Sequence, residues 1–141
     1  MPTRGELYRA ILESVAFDVL RHKAPARDAG IQLSKTMFIS GPTAKSKIYR
    51  RILADVTGYR VLYPARSHEA PGGDALIAAV ASKQVRDFGV IKEWLRLDEA
   101  EATEPDETAH RKYIKYFERV WLPGYTAAKF IDDAITSWTV E

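Results

Sequence analysis

A short polar loop, residues 40–46 (Ser-Gly-Pro-Thr-Ala-Lys-Ser), holds the residue types best suited to bind a ligand. It follows the apolar run 36–39 and precedes an amphipathic segment, 48–56. In α/β proteins, phosphates and nucleotides bind at a glycine-containing turn between the carboxyl end of a strand and the first turn of a helix. Backbone N–H groups and the helix dipole favour an anion there. The loop therefore predicts a nucleotide-binding turn.

Two familiar phosphate-binding motifs do not fit this loop. The candidate binding residues are Gly41, Pro42, Thr43, Ala44, Lys45 and Ser46. The P-loop motif requires glycine where this chain has Ile39 and Ala44, although Lys45-Ser46 matches its end. The dinucleotide fingerprint fails because no third glycine stands at the required place. On local chemistry alone, an ordinary strand-to-helix turn with a serine cap remains an equal alternative.

Hydrophobic spacing predicts helices that alternate with short strands. The expected elements are a helix over 4–23 ended by Pro25, a buried strand within 31–39, a helix over 45–57, a strand over 59–63 stopped by Pro64, and a helix over 75–80 preceded by Gly72-Gly73. This order favours parallel strands whose following loops line one edge of the sheet. Because two strands are few for a sheet, we expect part of a larger domain.

The helix ends carry capping patterns. Thr3 and Glu6 have capping-box spacing at the first helix, and Ser46 or Thr43 can cap the second, which Gly58 ends. The expected buried stripe of the second helix is Ile48, Ile52, Leu53 and Val56, with Arg50, Arg51 and Asp55 facing away.

The second half of the chain has a looser pattern. A short helix is expected around residues 90–95, followed by an acidic surface linker over 97–108. The linker's carboxylates are Asp98, Glu99, Glu101, Glu104, Asp106 and Glu107, and we interpret them as solvated rather than catalytic. Two closing helices are expected, separated at Pro123-Gly124. The first carries a helically spaced core stripe of Tyr113, Ile114, Phe117, Val120 and Trp121.

Composition narrows the function classes. With 141 residues, 46% apolar and 28% charged, the chain fits one globular domain. A net charge of +2 with interspersed signs gives no footprint for nucleic acid, and the absence of cysteine excludes disulfides and zinc–thiolate sites. His22, His68 and His110 are isolated, so no metal site of this chain alone is expected. No membrane span or signal peptide is visible, and a cytoplasmic location is expected.

Four stretches of this sequence resemble the carboxyl-terminal part of the FGGY carbohydrate kinases, relatives of xylulokinase, glycerol kinase and gluconokinase. Residues 6–17 resemble the end of the family's second signature. Residues 37–58 resemble its strand, "GGGAKS" loop and following helix. Residues 69–80 are similar to its "EAxxxGAALLA" helix, and residues 113–125 to its tyrosine-rich terminal helix.

The resemblance implies an α/β fold: part of an actin-like ATPase (ribonuclease H-like) domain, with a short, mostly parallel sheet flanked by helices. Residues 1–141 would form the ATP-binding carboxyl-terminal portion, without the amino-terminal lobe. It also implies transfer of the γ-phosphoryl group of Mg-ATP to a sugar or polyol hydroxyl, a pentulose such as xylulose being favoured. The loop 41–46 would contact ATP, and Mg²⁺ would arrive through the nucleotide.

The resemblance places the family's catalytic aspartate and most of its sugar contacts before Met1, so we expect the chain alone to bind ATP or ADP without catalysis. The family loop has two or three consecutive glycines, whereas Pro42-Thr43 follow Gly41 here, which removes backbone freedom and one amide donor. The alternative function is a non-catalytic interaction module that buries its sheet edge against a partner or a second copy. An unrelated α/β binding domain requires the four similarities to be coincidental.

Overall fold

The structure is a computed structural model that describes residues 1–66, 69–94, 96–97 and 102–138. Its helices and strands, in chain order, are α1 (Arg4–Arg21), α2 (Lys23–Asp28), β1 (Thr36–Phe38), α3 (Lys47–Thr57), β2 (Arg60–Leu62), β3 (Pro64–Arg66), α4 (Glu69–Ala81), α5 (Ile91–Trp94), β4 (Arg96–Leu97), α6 (Glu107–Tyr116) and α7 (Leu122–Trp138). His68, Leu95, Asp98, Glu99 and Glu101 lie outside the described residues.

A parallel pair of strands lies beside the helical core. β1 pairs with β2 in the register Thr36 to Arg60, Met37 to Val61 and Phe38 to Leu62, as the alternation of elements predicts. The prediction of a buried strand within 31–39 is wrong in part. β1 has only three residues, and Phe38 is 59% exposed. No further strand among the described residues pairs with β1 and covers that side.

β3 and β4 form a second pair, which is antiparallel. Of the two strand pairs in the described residues, one is therefore parallel and one antiparallel. Pro64 was expected to stop a strand, but it begins β3. Proline is tolerated as the first residue of a strand because its missing N–H then leaves no ladder position empty. The other edge of β2 is covered by a bridge in which Val61 and Thr103 exchange N–H···O bonds of 2.9 Å.

The core lies between α1, α3 and β2. It consists of Leu12, Ala16, Phe17 and Leu20 from α1, Ile52, Leu53, Ala54 and Val56 from α3, and Val61 from β2. The capping box at Thr3 and Glu6 is present, as predicted. Pro25 does not end α1, because α1 ends at Arg21 and Pro25 lies in the first turn of α2, where no intrahelical N–H bond is lost.

α3 is buried on a wider face than its sequence pattern predicts. Ile52, Leu53 and Val56 are buried as expected, but Ile48 is 63% exposed in the first turn. Arg50 and Asp55, expected to face away, are both buried. Asp55 is covered by the beginning of α6, and Arg50 contacts the residues that precede α3 and follow β2, so a single apolar stripe underestimates the contacts of α3.

Glycine and proline do not mark the helix boundaries expected of them. Gly72-Gly73 lie inside α4, which begins at Glu69, instead of preceding it. Pro123-Gly124 lie in the first turn of α7, and a π-helical segment, Phe117–Trp121, joins α6 to α7. The short helix near residue 90 is confirmed as a 3₁₀ turn, Phe88–Val90, followed by α5.

The described part of the acidic stretch is packed rather than a free linker. Glu104 accepts a 2.8 Å hydrogen bond from Nε of Arg60. The backbone N–H of Asp106 donates to Oδ1 of Asp55 at 2.8 Å, and its carboxylate caps α6 by accepting from Ala109 N–H at 2.7 Å. These contacts fasten the beginning of α6 to α3 and β2.

The aromatic stripe packs against the core, as predicted, except for Val120, which is exposed. The ring of Phe17 lies 5.6–6.0 Å from the rings of Tyr113, Tyr116, Phe117 and Trp121. Such ring contacts add to the burial of apolar area. The carboxyl-terminal helices therefore cover the side of α1 that also faces α3.

Candidate nucleotide-binding loop

The loop from Gly41 to Ser46 joins the carboxyl end of β1 to α3. Gly41 has φ +94° and ψ 173°, a conformation that L side chains rarely adopt. The loop then forms a 3₁₀ turn over Pro42–Lys45, in which Ala44 N–H donates to Gly41 O at 3.1 Å and Ser46 N–H donates to Thr43 O at 3.0 Å. These bonds give the loop a defined shape at the sheet edge.

The end of the loop caps α3. The hydroxyl oxygen of Ser46 accepts from Tyr49 N–H at 3.3 Å, so of the two expected caps Ser46 has this role. The loop therefore lies at the amino terminus of an 11-residue helix, where the helix dipole favours a negative charge. Pro42, Thr43 and Lys45 are exposed, while Ala44 is fully buried and anchors the turn.

The buried side chain of Arg50 donates a hydrogen bond to the backbone of this loop, a role that the sequence did not reveal. The side chain is 4% exposed, and Nη1 donates to the carbonyl oxygen of Ala44 at 2.6 Å. Its guanidinium also lies 5.2 Å from the ring centroid of Tyr63, within cation–π range. Tyr63 follows β2, so Arg50 connects the segments that leave both parallel strands.

The position of Arg50 in the sequence indicated a contact with the loop, but the usual solvation of charged side chains favoured exposure. The residue lies four positions after the Ser46 cap, one helical turn into α3, on the side of the helix that faces the preceding loop. A charged residue on an amphipathic helix is usually solvated, which is why Arg50 was expected to face away. An aromatic residue directly after the second strand, Tyr63, was the available hint.

The loop has the open space and the polar side chains that nucleotide binding requires. A Cβ built on Gly41 would meet no heavy atom within 4 Å, so open space lies beside the backbone there. The exposed hydroxyl of Thr43 and the ammonium of Lys45 are suitable partners for phosphate or ribose oxygens. None of the six loop residues is a carboxylate, so the loop provides binding and orientation but no general base.

Another groove lies between α1, α3 and α6, away from this loop. Tyr113 connects its walls: the hydroxyl donates to Oε1 of Glu13 at 2.6 Å and accepts from Nη2 of Arg9 at 2.8 Å. Burial is the largest cause that raises the pKa of Tyr113, and the hydrogen bond to Glu13 is the second largest. These hydrogen bonds join α1 to α6, and we interpret the cluster as structural.

A cleft at the amino ends of β1 and β2 is also held by internal contacts. The ammonium of Lys23 donates to Thr57 O at 3.0 Å and lies 4.2 Å from the ring centroid of Tyr59. Burial lowers the pKa of Lys23, because the charged form is the one that loses hydration. Across the cleft, Nδ1 of His110 is 2.9 Å from Asp55 O.

Within the described ranges, no group of three or more histidine, aspartate or glutamate side chains is arranged to hold a metal ion. None of the helices in that part of the chain combines the length and the apolar character needed to cross a bilayer.

Curated relatives are sugar kinases and are much longer than this chain. The L-xylulose/3-keto-L-gulonate kinase of Escherichia coli is 32% identical over 83% of this chain and 23% of its own length. The xylulose kinase of Haemophilus influenzae is 29% identical, with 83% and 24% covered. The chain therefore spans about a quarter of the length of these relatives.

Solved structures that resemble this chain also include sugar kinases. The xylulose kinase of Rhodospirillum rubrum superimposes with a TM-score of 0.69 and 27% identity, covering 92% of this chain and 26% of that one. A ligand-bound xylulose kinase from Lactobacillus acidophilus, at 17% identity and a TM-score of 0.70, shows the shared fold. The model of the FGGY family of carbohydrate kinases, C-terminal domain, matches residues 1–82, which include the loop and three of the four resembling stretches. The chain belongs to the FGGY family of carbohydrate kinases.

Proposed function

We propose that residues 1–141 are the ATP-binding portion of a sugar kinase and that the loop Gly41–Ser46 contacts the nucleotide. The observation that carries this proposal is the exposed loop at the amino terminus of α3, in a chain that belongs to a kinase family. The fold assigned is part of an actin-like ATPase domain with a ribonuclease H-like core. A cytoplasmic location stays a prediction.

The overall reaction is transfer of the γ-phosphoryl group of Mg-ATP to a hydroxyl of a sugar or polyol. Such transfer depends on positioning, on charge neutralisation by Mg²⁺ and on a base for the attacking hydroxyl. The loop positions the nucleotide, and Arg50 stabilises the loop by donating a hydrogen bond to the carbonyl oxygen of Ala44. The base and most of the sugar contacts are assigned to other segments of the kinase, so residues 1–141 alone should bind ATP or ADP without transferring phosphate.

The sugar is proposed to be a pentulose. Names of relatives support this choice: xylulose kinases match over most of the chain, and ribulokinases match over 55% of it. A glycerol kinase from Corynebacterium efficiens also matches, at 29% identity. The substrate class is therefore tested with the complete kinase, by comparing xylulose, ribulose and glycerol as phosphoryl acceptors.

Calorimetric titration of residues 1–141 with Mg-ADP tests the nucleotide site. We expect saturable binding with one nucleotide per chain. Gly41→Val should weaken it about tenfold or more, because valine at φ +94° forces the loop to rearrange. Ser46→Ala should also weaken it, because it removes the cap that orders the amino terminus of α3.

The matched control for Ser46→Ala is Thr3→Ala, which removes a cap of the same kind from α1. Both substitutions should lower the free energy of unfolding by about 1 kcal/mol. Only Ser46→Ala should change ADP affinity. Absence of binding by the unmodified chain, or equal loss of affinity in both cap variants, would refute the assignment of the loop.

An alternative function, a non-catalytic interaction module, is favoured by one observation. The outer edge of β1 has no strand partner among the described residues, and Phe38 is exposed beside it. Unpaired strand edges invite pairing with another chain. If the chain binds no Mg-ADP and Phe38→Lys abolishes association with itself or with a partner, the module is the better description.

A further inference from the structure

The carbonyl oxygen of Ala44 is held from outside the turn to which it belongs. Two hydrogen bonds within the turn are accepted by the carbonyl oxygens of Gly41 and Thr43. The carbonyl oxygen of Ala44 instead accepts from Nη1 of Arg50, a residue 4% exposed, at 2.6 Å. Because a peptide unit is rigid and planar, this bond also fixes the orientation of the N–H of Lys45. The guanidinium therefore sets the direction of a peptide unit in the middle of the candidate loop.

The ring of Tyr63 lies against this guanidinium, with 5.2 Å between the guanidinium carbon and the ring centroid. Tyr63 has a defined place because it lies between two paired strands. Before it, the carbonyl oxygen of Leu62 in β2 accepts from Ile39 N–H at 3.0 Å. After it, Pro64 begins β3 and pairs with Leu97 of β4. The ring can therefore hold the guanidinium in the orientation that donates to the loop.

We propose that Tyr63 is a positioning residue for the nucleotide site: it acts through Arg50 on the carbonyl oxygen of Ala44 and so raises the affinity of the loop for the nucleotide. This inference rests on the proposed function of the loop. An arginine side chain has many rotamers, and a ring packed on its guanidinium favours one of them. A loop that already has its binding conformation loses less conformational entropy when a ligand binds, which strengthens binding.

A second tyrosine provides a matched control within the same chain. Tyr59 directly precedes β2, and Tyr63 directly follows it. The ammonium of Lys23 lies 4.2 Å from the ring centroid of Tyr59, so this ring also contacts a cation. Lys23 donates to the carbonyl oxygen of Thr57, at the end of α3 that lies away from the loop. Loss of either ring thus removes a contact of the same kind, but of the two rings only that of Tyr63 is connected to the nucleotide loop.

Calorimetric titration of residues 1–141 with Mg-ADP compares three substitutions. Tyr63→Leu should weaken binding by roughly fivefold, because the cation–π contact is lost while an apolar side chain remains. Tyr63→Phe keeps the ring and should bind like the unmodified chain. Tyr59→Leu should leave the ADP affinity unchanged, although it removes a similar contact. An unchanged affinity in Tyr63→Leu, or an equal loss in Tyr59→Leu, would overturn the inference.

A double variant tests whether Tyr63 acts through Arg50. Arg50→Met removes both the donor to Ala44 and the cation, while an unbranched side chain stays in its place. We expect the ADP affinity to fall by roughly tenfold. The double variant Arg50→Met/Tyr63→Leu should then bind no more weakly than Arg50→Met alone, because the two residues act as one unit. A further loss in the double variant, as large as that of Tyr63→Leu alone, would contradict action through Arg50.

Amide hydrogen exchange without nucleotide separates this inference from the function on which it rests. The N–H groups of Ala44 and Ser46 close the turn, and they should exchange roughly fivefold faster in Tyr63→Leu. Tyr59→Leu should leave their exchange unchanged, which controls for a general loss of stability. An unmodified chain that binds no Mg-ADP refutes the proposed function of the loop. A chain that binds Mg-ADP, but whose loop amides exchange no faster in Tyr63→Leu, refutes the role of Tyr63 alone.

Discussion

Gly58 satisfies two constraints at once. Its φ of +69° is in the left-handed region, and it terminates α3, as the sequence predicts. A Cβ built there would lie 2.6 Å from Nε2 of His110, whose other ring nitrogen is 2.9 Å from Asp55 O. The imidazole therefore has little freedom to move away.

We predict that Gly58→Ala destabilises the chain more than Gly30→Ala does. Gly30 has a similar φ of +76° but open space around its missing Cβ, so alanine there costs only backbone strain, roughly 1–2 kcal/mol. Gly58→Ala should cost about 1 kcal/mol more, since the contact of His110 with Asp55 is lost as well. Urea unfolding of both variants gives the comparison. Equal losses would mean that His110 moves aside freely.

The sequence predicted the conformation of Gly58 but not its neighbour. A helix end is a local feature, and glycine after an amphipathic segment indicates it. The contact with His110 joins residues 52 positions apart, and no local pattern encodes that distance. Arg50 was misplaced for the same reason, because its partner Tyr63 follows the next strand, β2.

At the scale of elements, α3 is the centre of the packing. It contacts both α1 and α6, and Leu53 is almost completely buried in the core. Ile48, which belongs to the same predicted stripe, is exposed in the first turn. The two residues therefore differ in their contribution to stability despite their similar chemistry.

We expect Leu53→Ala to lower the free energy of unfolding by about 2–5 kcal/mol, the range for a buried leucine that leaves a cavity. Ile48→Ala, as its matched control, should change stability by less than about 0.5 kcal/mol. Chemical denaturation monitored by circular dichroism measures both. A large effect at Ile48 would show that another surface covers the first turn of α3.

Hydrophobic spacing predicted the main helices and the parallel strand pair. Several helix boundaries that were predicted from prolines and glycines were wrong. Pro25 and Pro123 each lie in the first turn of a helix, where proline costs little, rather than between helices. Position within a turn decides whether proline breaks a helix, and composition does not reveal that position. The packing of Asp106 against Asp55 was missed because acidic residues usually indicate solvent.

At the scale of the molecule, the chain is a quarter-length counterpart of longer kinases. The candidate loop Gly41–Ser46 could be identified from the sequence because its strand, turn and helix are contiguous. The connection that Arg50 makes between the two strand ends required the fold.

Backbone amide NMR of residues 1–141 during titration with Mg-ADP shows whether the loop Gly41–Ser46 binds the nucleotide. We expect saturable chemical-shift changes at the amides of Gly41, Thr43, Ala44, Lys45 and Ser46, since Pro42 has no N–H. The amide of Lys129 on α7 should not change. A folded chain whose loop amides do not respond, or whose changes are confined to the groove around Tyr113, would contradict the claim.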